Sequence, residues 1–343
     1  MSLYAIYFEP EDWVSFREVR RFGPSDIVKT VFPSPLPFYG AIRSALLKEL
    51  GINLEYHKKP AITKEIEDLI GTKDDPGKIK LYGPYIYSEV NGVKKHYFPA
   101  PKNIYKKGDE YKKMVYLDGK AGIEELDLQL AWIPTTDNTE PDEYFIELEE
   151  LAKLQKNEPF KLSNPDNFTI EAKYGVGLKR NEKSTEEGLI YTMNLYRFKN
   201  GGFFMITDCE ETVELVKKLE GVFLGAKQRW AKISIEQFPD DIFKEPERKN
   251  SDIVEIMLIT PAIYEDGIAP KDLNFGEVKI KAIAAGKKIP ISGWDYEIGI
   301  PKTLYHAVTP GTVYYLSGMP KNRITVLSQS KLNQFGFGRF IYL

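Results

Sequence analysis

The chain has 343 residues, 42% of them hydrophobic, 13% aromatic and 28% charged, a balance that can bury a sizeable core and excludes a disordered chain. A single cysteine, Cys209, excludes an internal disulfide and a Cys-rich metal site, and no apolar run nears the ~20 residues of a membrane helix. The net charge of −3 argues against a general nucleic-acid binder yet leaves room for a local basic groove.

Leu3 to Phe8 alternates apolar and aromatic residues and predicts a first strand. The segment up to Trp13 has no basic n-region and meets Glu9, Glu11 and Asp12, so a soluble, cytoplasmic protein is expected. Ser34 is placed to cap a helix that starts at Pro35, buries Ile42, Ala45, Leu46 and Leu50, and stops at Gly51. Gly40, Arg43 and Leu47 share a different face of that helix. Residues 71–165 are rich in Gly, Pro, Lys and Tyr and read as a long insertion of hairpins. Within them, seven lysines between Lys94 and Lys113 are followed by an acidic run from Asp137 to Glu150. Both runs read either as solvated surface or as a docking face.

Leu189–Phe198 and Phe203–Thr207 predict two strands joined through Asn200-Gly201-Gly202. Asp208 and Glu211 suggest a capping box for a helix that ends at Gly221. The charged stretch Asp240–Ser251 is a candidate linker. Beyond it strands dominate: 254–259, 278–283, 312–316, 324–327 and 339–341. The fold class is therefore α+β, in two parts, 1–245 and 246–343.

The sequence holds no Walker-type loop, HExxH, GxSxG or paired-Cys motif. The three histidines, His57, His96 and His306, are scattered, and His306 beside Tyr305 is the least improbable general base among them. No catalytic residue, metal site or cofactor is expected. Three Gly-plus-basic clusters stand out: Tyr174–Asn181 with Lys179 and Arg180, Leu224–Trp230 with Lys227 and Arg229, and Phe335–Phe340 with Gly336, Phe337, Gly338 and Arg339. Glycine lets backbone approach a phosphate, Arg and Lys supply charge, and neighbouring aromatics can stack on unpaired bases. Each cluster reads equally as a tight turn with a solvated cation.

Six blocks in order resemble the RAMP superfamily of CRISPR RNA-binding proteins, and within it the third-subunit family of type III-B Cmr effectors. They are FPSPLPFYGAIRS (32–44), GLIYTMNLYR (188–197), LGAKQRWAK (224–232), Ser292–Asp295 with Pro301-Lys302, VTPGTVYY (308–315) and the glycine-rich FGFGR (335–339). Ala226 stands where the family usually shows a second glycine. The resemblance implies two ferredoxin-like (RRM-like) modules, the first with large insertions, and a subunit that cuts nothing itself. It implies that the chain holds the 5′ repeat-derived tag of the guide RNA, next to the polymerase-like large Cmr subunit and an adjacent backbone Cmr subunit. The residues expected at RNA are Arg20, Gly40, Arg43, Lys179, Arg180, Lys227, Arg229, Gly336, Phe337, Gly338 and Arg339, with Trp13, Trp230 and Trp294 as possible stacking platforms. The alternative within the superfamily is a metal-independent guide-RNA-processing endoribonuclease built on His306 or a Tyr/Lys set.

Overall fold

A computed structural model describes residues 2–19, 27–55, 58–123, 128–134, 145–178, 184–245, 253–265, 267–321 and 325–343. Strand β1 (Leu3–Pro10) is buried on both faces along most of its length, which requires a central place in a sheet covered on both sides. Its alternating side chains feed two cores: Ile6 and Phe8 one, Leu3, Ala5 and Tyr7 the other. Short strands β2 (Trp13–Val14) and β3 (Ile27–Val28) follow. Helix α1 (Leu36–Glu49) carries Phe38, Ile42, Leu46 and Leu47 onto the first core. Its N-cap is Pro35 rather than Ser34. Helix α2 (Lys64–Ile70) starts at Thr63, whose side chain accepts a hydrogen bond from the Ile66 N–H.

Next come β4 (Tyr82–Val90), β5 (Val93–Pro99), the hairpin β6 (Ile104–Lys107) and β7 (Glu110–Lys113), the hairpin β8 (Val115–Ile123) and β9 (Leu128–Trp132), and β10 (Phe145–Glu147). Helix α3 (Leu148–Gln155) leads to the long hairpin β11 (Phe168–Leu178) and β12 (Thr185–Phe198). Then follow β13 (Gly202–Thr207), α4 (Glu210–Val216), β14 (Gly221–Leu224) and β15 (Arg229–Phe238). Helix α4 takes Cys209, not Asp208, as its N-cap, and no side chain caps it. The main sheet runs β10-β5-β4-β13-β1-β15-β14. The segment expected as an insertion from residue 71 thus contributes β4 and β5 to the main sheet. Only after Pro99 does the chain leave that sheet, to return with β10.

The C-terminal part supplies a second sheet from β16 (Val254–Leu258), β17 (Asn274–Phe275) and β18 (Val278–Ala284), with small ribbons β19 (Ile289–Ile291), β20 (Trp294–Asp295), β21 (Ile300–Pro301) and β22 (Tyr305–Ala307), and finally β23 (Val313–Leu316) and β24 (Phe340–Tyr342). Its order is β17-β18-β23-β16-β24. Met257, Ala282, Val313 and Tyr315 of this sheet share one core with Ala5, Tyr7, Tyr85 and Phe204, so the two sheets pack face to face while α1 and α4 cover the other side of the first.

In chain order β1, α1, β4, β13, α4 and β15 form a β–α–β–β–α–β series whose strands lie as β4-β13-β1-β15. The order β18-β23-β16-β24 repeats that arrangement, but among the described residues no α-helix joins those strands. The fold is mixed and strand-rich. The second sheet shares the strand order of the first, and among the described residues it has no α-helix, so the expected second ferredoxin-like module is met in strand order alone. The expected strand 324–327 is irregular where described.

Candidate nucleic-acid interface

One basic locus forms where β14 turns into β15 beneath the base of the β11–β12 hairpin. Gly225 (φ +68), Lys227 (φ +65) and Gln228 (φ +49) are left-handed, which reverses the chain tightly and leaves Lys227 exposed. The turn is pinned inward, because the Ala226 N–H donates to Ser15 O at 2.8 Å and a Cβ on Gly225 would stand 2.7 Å from that same oxygen. The Ala226 amide is therefore spent on the fold.

Arg229, the first residue of β15, lays its guanidinium 3.9 Å from the centroid of the Trp13 ring, and the Lys173 ammonium lies 5.2 Å from it. Trp13 is 4% exposed, so it is a core residue clamped by cations and not an open stacking platform. Arg197 on β12 donates to Glu171 at 2.8 Å and to Asp12 at 2.9 Å, and Asp12 also lies 3.8 Å from Arg229. Burial raises the Asp12 pKa, but the Trp13 N–H and the Arg197 guanidinium outweigh it and keep the carboxyl below its usual range. Arg197 and Arg229 thus meet the two carboxylates Asp12 and Glu171, while Lys173 lies over Trp13 and Lys227 is exposed in the adjoining turn. Lys173 and Arg197 were not legible as site residues, because only the strand register of β11 on β12 brings them to Trp13.

A second locus lies along α1. Tyr39 packs edge-on against Phe335 at 5.1 Å, and its hydroxyl donates to Leu81 O at 2.9 Å. One turn later Arg43 Nε donates to Gly71 O at 3.0 Å, and burial lowers the Arg43 pKa despite Glu297 and Glu67 nearby. Between them Gly40 is exposed, with nothing within 4 Å of where a Cβ would sit. The 71–74 loop ties the same region together: Lys73 pairs with Asp295 at 2.8 Å, and Gln334 donates to Asp74 O. Gly40, Arg43 and the glycine-rich C-terminal segment are therefore neighbours.

That C-terminal segment differs from the expectation. Phe337 is fully buried. The Gly336 N–H donates to Asn333 O at 3.0 Å and the Gly338 N–H to Pro261 O at 2.7 Å, so neither amide is available to a phosphate. Both glycines are left-handed (φ +81 and +74), and a Cβ would stand 2.2 Å from Leu81 O at Gly336 and 2.6 Å from Ser328 Cβ at Gly338. Gly336 lets the C-terminal segment dock on the start of β4, and Gly338 lets it pass close to Val326 and Ser328. Arg339 lies with its guanidinium 5.3 Å from the Tyr82 ring centroid and its Nε buried without a partner.

A family model for the CRISPR-associated protein Cmr3 matches residues 6–343. The chain belongs to the CRISPR-associated Cmr3 family. Its fold is similar to a chain in the cryo-EM structure of the type III-B Cmr-beta complex bound to cognate target RNA, with TM-score 0.53 and 15% identity over 98% of this chain and 95% of that one. A chain of the same complex with target RNA and AMPPnP gives TM-score 0.53 and 15% identity, over 91% and 86%. Comparison with curated proteins gave no match.

Within this Cmr3-family chain, the lysine run is largely neutralised internally. Lys94 pairs with Glu236 and Glu89, Lys95 with Glu147, Lys112 with Glu110 and Lys113 with Glu255. The acidic run is partly structural too: Phe145–Glu147 is an edge strand on β5, and Glu150 pairs with Lys153 and accepts from the Lys161 N–H. Residues 137–144 of that run lie outside the described residues, as do Arg20, Lys179, Arg180 and His57. His306 sits opposite Pro290 in the β19–β22 ribbon. Trp230 packs edge-on against Phe223 at 5.2 Å, whereas Trp294 is 43% exposed on β20. Among the described residues no group of three or more His, Cys, Asp or Glu could hold a metal ion, and no helix is long and apolar enough to cross a membrane.

Proposed function

We propose that the chain is a non-catalytic RNA-binding subunit of a type III-B Cmr effector, holding the 5′ repeat-derived tag of the guide RNA. On this reading it bridges the polymerase-like large subunit to the adjacent backbone subunit, and each of its two sheets is a variant of a ferredoxin-like module. The observation that carries the RNA reading is the cation cluster on Trp13. Lys173, Arg197 and Arg229 gather around Trp13, with exposed Lys227 in the adjoining turn, and the excess of these four cations over Asp12 and Glu171 in an otherwise acidic protein attracts a phosphodiester chain. Exposed Gly40 on α1, with Arg43 one turn on, lets a backbone come close at the second locus. Family membership supports the place in a CRISPR effector, and the similar chains come from a Cmr complex bound to target RNA.

The test is direct. Guide RNA with and without its 5′ tag is titrated against the pure chain, and the same RNA is incubated with it in EDTA. Tag-dependent binding with intact RNA supports the proposal. Cleavage that a His306→Ala variant abolishes establishes the processing endoribonuclease instead.

A further inference from the structure

Lys102 differs from the ion-paired lysines of the Lys94–Lys113 run, and unlike Lys106, which lies over the Tyr111 ring, it reaches a glycine loop. Lys94, Lys95, Lys112 and Lys113 each have a carboxylate within 4 Å, while Lys102 has none among the described residues. Its N–H is fixed on Gly311 O at 2.8 Å, which starts the side chain across the C-terminal sheet's edge. The stem then passes 3.3 Å from where a Cβ of Gly286 would sit and 3.6 Å from that of Gly311. Glycine at 286 leaves room for both this stem and the Thr309 methyl, which stands 2.7 Å from the Gly286 Cβ position, while Gly311 is required by Ala100 O at 2.2 Å. The Lys102 ammonium is thereby delivered to the loop between β18 and β19, which reads Ala285-Gly286-Lys287-Lys288.

That loop has two further properties. Lys287 and Lys288 are exposed and, like Lys102, have no carboxylate partner among the described residues. The N–H groups of Gly286, Lys287 and Lys288 likewise have no protein acceptor there. The loop thus carries two exposed lysines and three consecutive amides free of protein acceptors, and the Lys102 stem reaches it at Gly286, so every group it offers is a donor. This donor set fits an oxyanion carried on a chain, for which Lys serves as a point charge and the amides as short-range donors.

We infer that Lys102, Gly286, Lys287 and Lys288 form a further contact for the phosphodiester backbone of single-stranded RNA, on the C-terminal sheet and apart from the Trp13 and α1 loci. The inference rests on the RNA-binding reading above and extends it to a contact that is blind to base identity, because every group involved reads phosphate alone.

The experiment uses the full chain, with Lys287→Glu/Lys288→Glu and, separately, Lys102→Gln, each checked by thermal melting. Fluorescence anisotropy follows labelled tagged guide, tagless guide and oligouridine at salt from about 50 to 200 mM. Each phosphate contact on a single strand contributes a slope of roughly 0.7 in log affinity against log salt, so wild type should lose about sevenfold more affinity across that range than the double variant. Lys102→Gln should show about half that slope change, and all three RNAs should be affected alike. Wild-type affinity and slope in folded variants would overturn the inference, as would variants that bind RNA normally but no longer assemble with the other subunits, which would make the loop a site for an acidic protein surface. Failure of the tag-holding reading is seen separately, in wild type alone, as equal affinity for tagged and tagless guide.

Discussion

Arg229 covers Trp13: the guanidinium lies 3.9 Å from the indole centroid, and the ring beneath is 4% exposed. A cation over a largely desolvated indole contributes about 1–2 kcal/mol. Arg229→Ala should lower stability by about that amount in chemical denaturation and make tryptophan emission more accessible to acrylamide. It should also weaken guide-RNA binding, and Arg229→Lys should recover the RNA affinity more fully than the stability, because an ammonium keeps the charge but not the flat stacked contact. A variant with unchanged unfolding midpoint would show that the stack is incidental.

The three glycines of the α1 locus separate by mechanism. Gly336→Ala forces a left-handed L-residue and a backbone clash with Leu81 O, so it should destabilise by more than about 2 kcal/mol. Gly338→Ala should behave likewise against Ser328. Gly40→Ala faces open space in a helix and should stabilise by about 0.5–1 kcal/mol. Gly40→Leu should fold normally and bind guide RNA more weakly, because a branched side chain keeps the strand away. Urea midpoints and RNA titrations of the four variants check the set.

His96 makes stability depend on pH. Its ring nitrogen is 2.8 Å from the Tyr7 hydroxyl, packed edge-on against Phe204 and Phe238. Burial pushes its pKa down from about 6.5 to about 4, against the pull of Glu236. The folded state therefore holds the neutral ring while the unfolded state takes up a proton first. This group leaves stability flat above pH 6.5 and removes it as pH falls from 6.5 toward 4, by about 3 kcal/mol in all. Denaturation of wild type and His96→Gln across pH 4–8 should show the two curves converging at low pH. Parallel curves would contradict the assignment.

The elements readable in the sequence were those whose signal is local. The alternation in Leu3–Phe8, the Pro-bounded helix around Ile42 and the Asn200-Gly201-Gly202 turn each declare themselves within a few residues. Lys80–Tyr87 is strand-like in sequence, but its place in the main sheet beside β13 is not legible, because that pairing joins residues more than a hundred apart in the chain. The FGFGR segment shows the other limit. Its glycines and arginine advertise a phosphate loop, yet whether an amide points outward depends on Asn333 and Pro261, the latter more than seventy residues away in sequence. Likewise, the neutralising partners Glu236 and Glu255 of the lysine run lie on distant strands, so charge counted along the chain overstates the basic surface.

The central claim is that this chain recognises the 5′ tag of a guide RNA, and equilibrium anisotropy titration of tagged against tagless guide, at one salt concentration, tests it most directly. The account predicts at least about tenfold tighter binding of the tagged guide, or about 1.4 kcal/mol, with that preference reduced in Arg229→Ala. Equal affinity for the two RNAs in the correctly folded wild-type chain would contradict it.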